Sequence, residues 1–211
     1  MLYVFGDSWA AGAELEIDEK PFAPYLAALL NTPYKNLGIC AASLGHILQT
    51  VIKEVDDIQS DDTVIVIIPP DIRWYYINED YSVDSLLIGM PEYDDSCNIE
   101  WYIYHHSLFI YAIISLVTSK TKNLVLAHNY GKLIIPDMFT NKIDRTYLLS
   151  EHSLTTLLGS PDWLENYSKS DRKDGPDKNF SGKYFEGKLT HPNDLGHQQI
   201  AKILYDKLQQ K

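Results

Sequence analysis

One run of residues constrains the fold more than any other. In "DDTVIVIIPPD", five β-branched residues, Val64 to Ile68, follow one another without a polar break and end at Pro69-Pro70. An unbroken β-branched run of strand length fits a strand buried on both faces, and such strands belong to parallel sheets with helices above and below. "LYVF" before Gly6 and "NLVLAH" before Asn129-Tyr130-Gly131 repeat the pattern, and "YKNLGI" gives a further short strand.

The segments between these strands have helical spacing. Phe22, Leu26, Leu29 and Leu30 predict a helix over about 22–31. Leu44, Ile47, Leu48, Val51, Ile52 and Val55 mark an amphipathic helix between Ser43 and Ile58. Tyr102 to Val117 reads as a third helix, and Asn193 to Leu208 as a last one. Alternating strands and helices predict an α/β fold, a layered sandwich around a mostly parallel sheet. With 211 residues, 45% of them hydrophobic, the chain reads as one domain over 1–211. Two stretches read as excursions from it: 71–104, aromatic and acidic, and 160–188, rich in Lys, Asp, Gly and Ser.

The formal charge of −11 argues against nucleic acid and anionic membrane surfaces as partners. Cys40 and Cys97 are too few for a disulfide framework or a four-cysteine zinc site, and they read as reduced thiols. Histidine and carboxylate spacing offers no recognisable metal motif, so no metal and no organic cofactor is expected. No signal-peptide pattern opens the chain and no apolar run reaches bilayer length, so cytoplasmic synthesis is expected.

In a parallel sheet, sites form at the carboxyl ends of strands. Four junctions qualify: Gly6–Ser8, Asn36–Ser43, Pro69–Trp74 and His128–Tyr130. At the first, Ser8 is either half of an Asp7/Ser8 helix cap or a displayed nucleophile beside backbone N–H groups. A serine nucleophile needs a base. His191, in "LTHPNDLGH", precedes Pro192 and a residue, Asn193 or Asp194, suited to cap the last helix. His128 is the second candidate. His105 and His106 diverge on a helix, and His197 reads as a packing residue.

Gly6-Asp7-Ser8, Asn36-Leu37-Gly38-Ile39-Cys40-Ala41 and His191-Pro192-Asn193-x-x-Gly196-His197 together resemble the first, second and last motif blocks of the SGNH, or GDSL, hydrolases. The resemblance spans nearly the whole chain. The stretch "GDSWAAGAEL" with its "NLGICAASLGHI" most resembles a branch common among bacteriophage-encoded members. The resemblance implies a three-layer α/β/α sandwich and a serine esterase. Ser8 would be the nucleophile and His191 the base, and the oxyanion donors would come from Ser8, Ala41 and Gly38. Ala41 stands where the family has glycine, and its N–H remains a usable donor if φ is negative.

Two blocks depart from the family pattern. Pro69-Pro70-Asp71-Ile72-Arg73-Trp74 replaces a G-x-N-D block; Arg73 is an alternative cationic donor, and an Arg73–Asp71 ion pair is the competing reading. Lys188 stands where the family places an aspartate, three residues before the histidine. That leaves Glu186 as a nearby acid, or a Ser–His dyad with a backbone carbonyl on the imidazole. Asp71, Trp74, His128 and Asn129 are candidate substrate contacts. The expected substrate is a small-molecule or carbohydrate O-acyl ester, O-acetyl among them. The alternatives are a transferase using the same site and an inactive scaffold serving as a binding or phage-particle component.

Overall fold

The computed structural model describes residues 1–69, 73–77, 83–87, 99–130, 133–159, 183–185 and 191–210; for 73–77, 83–87 and 99–102 it describes the backbone alone. Four strands form the central sheet: β1 (Leu2–Gly6), β2 (Tyr34–Gly38), β3 (Thr63–Ile68) and, counted after the two strands of a separate hairpin, β6 (Asn123–His128). Their order is β2-β1-β3-β6 and every pairing is parallel.

The sheet divides the core in two because alternate side chains point to opposite faces. Leu2, Val4, Ile65, Ile67, Val125 and Ala127 pack on one side with Phe22, Ala23 and Leu26 of α2 (Phe22–Leu30) and Ile200, Ala201 and Leu204 of α7 (Asp194–Leu208). Tyr3, Phe5, Val64, Val66, Ile68, Leu124 and Leu126 pack on the other side. Their partners are Leu44, Ile47 and Val51 of α3 (Leu44–Glu54) and Ile110, Ile113 and Val117 of α4 (Ile99–Thr118). This is why Val64–Ile68 has no polar residue: each of the five is at most 1% exposed. The result is the three-layer α/β/α sandwich expected from the alternation, with a parallel sheet.

The connections decide where a site forms. From β1 the chain passes α1 (Ser8–Ala11) and α2 on one face before entering β2. From β2 it passes α3 on the opposite face and enters β3, on the other side of β1. The direction of winding therefore switches at β1, and the crevice left at such a switch lies beyond the strand's carboxyl end. Ser8 is the second residue past that end.

The aromatic and acidic excursion at 71–104 contains a hairpin that the sequence pattern did not reveal. Its strands β4 (Arg73–Ile77) and β5 (Val83–Leu87) pair antiparallel beside α3, and α4 begins within the same stretch. Two one-turn helices, α5 (Asp137–Thr140) and α6 (Leu154–Leu157), follow β6. The excursion at 160–188 lies outside the described residues apart from 183–185. Among the described residues no helix is long and apolar enough to cross a membrane.

Candidate active site

The ambiguity at Gly6-Asp7-Ser8 resolves into a division of labour. Asp7 is the N-cap of α1, its carboxylate accepting from the Trp9 N–H at 3.1 Å, and Ser8 is the first helical residue. Asp7 is wholly buried, and its second oxygen accepts from Asn129 Nδ2 at 2.8 Å. With capping done by Asp7, the Ser8 hydroxyl is left for another partner. That partner is His191: Ser8 Oγ and His191 Nε2 lie 2.8 Å apart.

His191 enters from the turn before α7. Asn193 caps this helix through Oδ1, which accepts from the Gly196 N–H at 2.9 Å. Its Nδ2 donates to the Lys183 carbonyl and its N–H to the Tyr184 carbonyl, both at 2.8 Å. A Cβ on Gly196 would lie 2.6 Å from the Tyr184 oxygen, so glycine there lets this turn close down on the 183–185 segment. Pro192 and Asn193 thus seat His191 on a braced edge, as the sequence pattern implied.

The other imidazole nitrogen has a partner that sequence reading missed. His191 Nδ1 is 2.8 Å from Glu14 Oε1, and the two side chains are 14% and 28% exposed. Among the described residues Glu14 is the carboxylate at this nitrogen, the position for which the sequence offered Glu186 or a backbone carbonyl. Glu186 and Lys188 lie outside the described residues. Nothing in spacing pointed to Glu14, which stands 177 positions from the histidine.

The second block acts through packing. Asn36 Nδ2 donates to the Ala10 carbonyl at 2.8 Å, and Asn36 Oδ1 accepts from the Gly38 N–H at 3.1 Å. A Cβ on Gly38 would lie 2.4 Å from the Ala11 nitrogen. Asn36 and Gly38 therefore dock the end of β2 against α1 and fix the helix that starts with Ser8. The Gly38 N–H, expected as an oxyanion donor, is already engaged by Asn36.

Ala41 adopts φ +63°, not the negative φ anticipated: the alanine keeps the left-handed backbone that glycine favours, at a steric cost and without losing its N–H, so a negative φ is not required of the donor. Gly6 pairs with Gly38, and the Ile39 N–H donates to the Gly6 carbonyl at 3.0 Å. The turn carrying Ala41 thus leaves the sheet alongside the Ser8 turn. Among the described residues neither the Ser8 nor the Ala41 N–H has a protein acceptor. The first N–H groups of a helix are unsatisfied by construction, and such donors suit an anion.

The remaining candidates separate. Asn129 is fully buried and holds Asp7 while its own carbonyl accepts from Thr155, so it supports the site from behind and does not line it. His128 is also buried, at the end of β6. Arg73 and Trp74 open β4, and nothing is described of their side chains; Asp71 lies outside the described residues. His106 Nε2 contacts the Pro69 carbonyl at 3.3 Å, beyond the end of β3. Cys40 is an exposed free thiol. Among the described residues no group of His, Cys, Asp and Glu is arranged to hold a metal.

By sequence, no family model and no curated protein matches the chain. By structure, the likeness is extensive. A G-D-S-L family protein from Desulfitobacterium hafniense aligns over 98% of both chains, at TM-score 0.52 and 10% identity. A two-domain esterase active on acetylated mannans aligns over all of this chain and 48% of its own, at TM-score 0.52 and 14% identity. An acetyl xylan esterase from the rumen bacterium Butyrivibrio proteoclasticus covers 99% of this chain and 63% of its own, at TM-score 0.48 and 15% identity. This chain therefore spans about half to under two thirds of the two named esterases. These likenesses show the fold, a three-layer α/β/α sandwich around a parallel sheet. More narrowly, the chain has the fold of the SGNH, or GDSL, hydrolases.

Proposed function

We propose that the protein is a serine hydrolase of O-acyl esters. The observation that carries this reading is the 2.8 Å contact between Ser8 Oγ and His191 Nε2 at the carboxyl end of β1. For Nε2 to accept the hydroxyl proton, the proton of the neutral imidazole must sit on Nδ1. His191 then takes the proton as Ser8 Oγ bonds to the ester carbonyl carbon, and the carbonyl π electrons move onto its oxygen. The Ser8 and Ala41 N–H groups are the donors this reading assigns to that oxyanion. Collapse expels the alcohol, which receives the proton from His191. Water, deprotonated by the same imidazole, then releases the acid and restores Ser8.

O-acetyl carbohydrate is the favoured substrate class. It is supported by the fold shared with an esterase active on acetylated mannans. The test is turnover of p-nitrophenyl acetate and of acetylated oligosaccharides by wild type and Ser8→Ala, with fluorophosphonate labelling in parallel. Turnover and labelling that both vanish in Ser8→Ala support the reading. Equal rates in the two proteins, or an unlabelled wild type, overturn it and favour a binding scaffold. Acyl transfer to an added sugar in preference to water identifies a transferase instead.

A further inference from the structure

We propose that Glu14 is the positioning residue for His191, so that nucleophile and orienting carboxylate both come from the short stretch that follows β1. The inference rests on the reading of Ser8 and His191 as a reacting pair. It differs from the pattern in which the acid stands three residues before the histidine.

Three independent features converge on it. The first is contact: Glu14 Oε1 stands 2.8 Å from Nδ1, the nitrogen opposite the one that meets Ser8. Both side chains are largely shielded, so the pair is less screened than a surface ion pair. The second is backbone geometry. The Ser8 carbonyl accepts from the N–H groups of both Gly12 and Ala13 at 2.9 Å, closing the turn that delivers Glu14. Gly12 has φ +81° and Glu14 has φ +65°. A left-handed conformation is unfavourable for glutamate, and it persists only where surrounding structure holds it. The third is attachment. The loop beyond Glu14 returns to the helix that follows His191: the Lys20 N–H donates to Asp194 Oδ1 at 3.3 Å, and the Tyr25 hydroxyl donates to the same oxygen. Glu14 and His191 are therefore fixed relative to each other from both sides.

The imidazole is gripped at both nitrogens by one piece of chain. A carboxylate at Nδ1 accepts its proton, selects the tautomer whose Nε2 can act as base, and stabilises the imidazolium formed during attack. A glutamine at this position keeps the shape, but its amide can present a donor to Nδ1 and favour the wrong tautomer.

The experiment compares Glu14→Gln and Glu14→Asp with wild type in the full chain. The expected result is a kcat lowered about 10²- to 10⁴-fold in Glu14→Gln with KM within about threefold, and at least tenfold recovery of kcat in Glu14→Asp. Proton NMR reads the contact separately. Wild type should show a low-field Nδ1–H signal that disappears in His191→Gln and is shifted or lost in Glu14→Gln. A kcat within about threefold of wild type in Glu14→Gln, or an unmoved low-field signal, overturns the proposal. A wild type without esterase activity overturns the proposed function instead, and the NMR signal then decides the role of Glu14.

Discussion

Asn129 Nδ2 donates to Asp7 Oδ2 at 2.8 Å, and neither residue has any exposed surface. The pair joins the end of β6 to the cap of the helix that begins with Ser8. Asn129 is fixed in turn, because its N–H donates to the Ile68 carbonyl at 3.2 Å and its carbonyl accepts from Thr155 Oγ1 at 2.7 Å. Replacing Asn129 with Leu removes a donor from a buried carboxylate, whose lost partner costs about 2–3 kcal/mol. The expected outcome is a fall in Tm of roughly 5–10 °C together with reduced Ser8 labelling by fluorophosphonate. Thermal unfolding and labelling rate measure the two effects. An unchanged labelling rate would show that Asp7 holds its place without Asn129.

Gly38 tests the claim that the second block works by packing. A Cβ there would meet the Ala11 nitrogen at 2.4 Å, the Ala10 carbonyl carbon at 2.6 Å and the Ala10 Cβ at 2.8 Å. Two of these neighbours are backbone, so α1 must shift. Gly38→Ala is expected to destabilise by about 1–3 kcal/mol and, on the proposed function, to lower kcat more than KM rises, since the displaced element carries Ser8. Denaturant midpoints and steady-state kinetics decide it, and wild-type values for both would show that β2 does not set the position of Ser8.

Ala41 occupies a left-handed conformation suited to glycine. Ala41→Gly removes the steric penalty while keeping the N–H, partly offset by greater freedom of the unfolded chain. A gain of about 0.5–1 kcal/mol is expected, with esterase activity retained. Ala41→Pro deletes the N–H and, because proline cannot adopt φ +63°, also forces the turn to rearrange, so kcat should fall sharply. Equal activity in the glycine and proline variants would remove Ala41 from the oxyanion donors.

The layers of this fold were legible because burial on both faces leaves a direct mark on composition. Val64–Ile68 had no polar residue to mislead, and Leu44, Ile47 and Val51 carried a helical period. The contact between Ser8 and His191 was legible because each sits beside a structural stop: Ser8 just after Gly6, His191 just before a proline-braced cap. Glu14 was not legible. Its role depends on a loop folding back toward a residue near the other end of the chain, and no local spacing encodes that approach. Asn36 and Gly38 were recognised as a motif, yet their job as a docking surface for α1 appears only once the Ala10 carbonyl and Ala11 nitrogen are in place. The β4–β5 hairpin was hidden for a different reason. Its strands lie in a stretch where acids and aromatics are mixed, and the alternation of a half-buried strand is lost there.

The contact between Tyr25 and Asp194 fastens α2 to the start of α7 and makes stability depend on pH at both extremes. Burial opposes the charge of Asp194, but hydrogen bonds from Tyr25, the Lys20 N–H and Gln198 outweigh it and hold the carboxyl below its ordinary value of 3.8. Tyr25 is raised above 10.0, by burial first and then by the bond to Asp194. The signs follow from which form the fold prefers. The lowered carboxyl contributes stability that is present above pH 3.8 and lost as pH falls through the depressed value. The raised phenol contributes stability that is complete below pH 10.0 and lost as pH rises through the elevated value. Tyr25→Phe deletes the hydroxyl from both balances. Its Tm should therefore lie below that of wild type by an amount that is steady between about pH 5 and 9 and narrows toward pH 3 and above pH 10. Thermal melts across that range give the difference directly, and a gap that stays constant at every pH would show that the contact is not linked to ionisation.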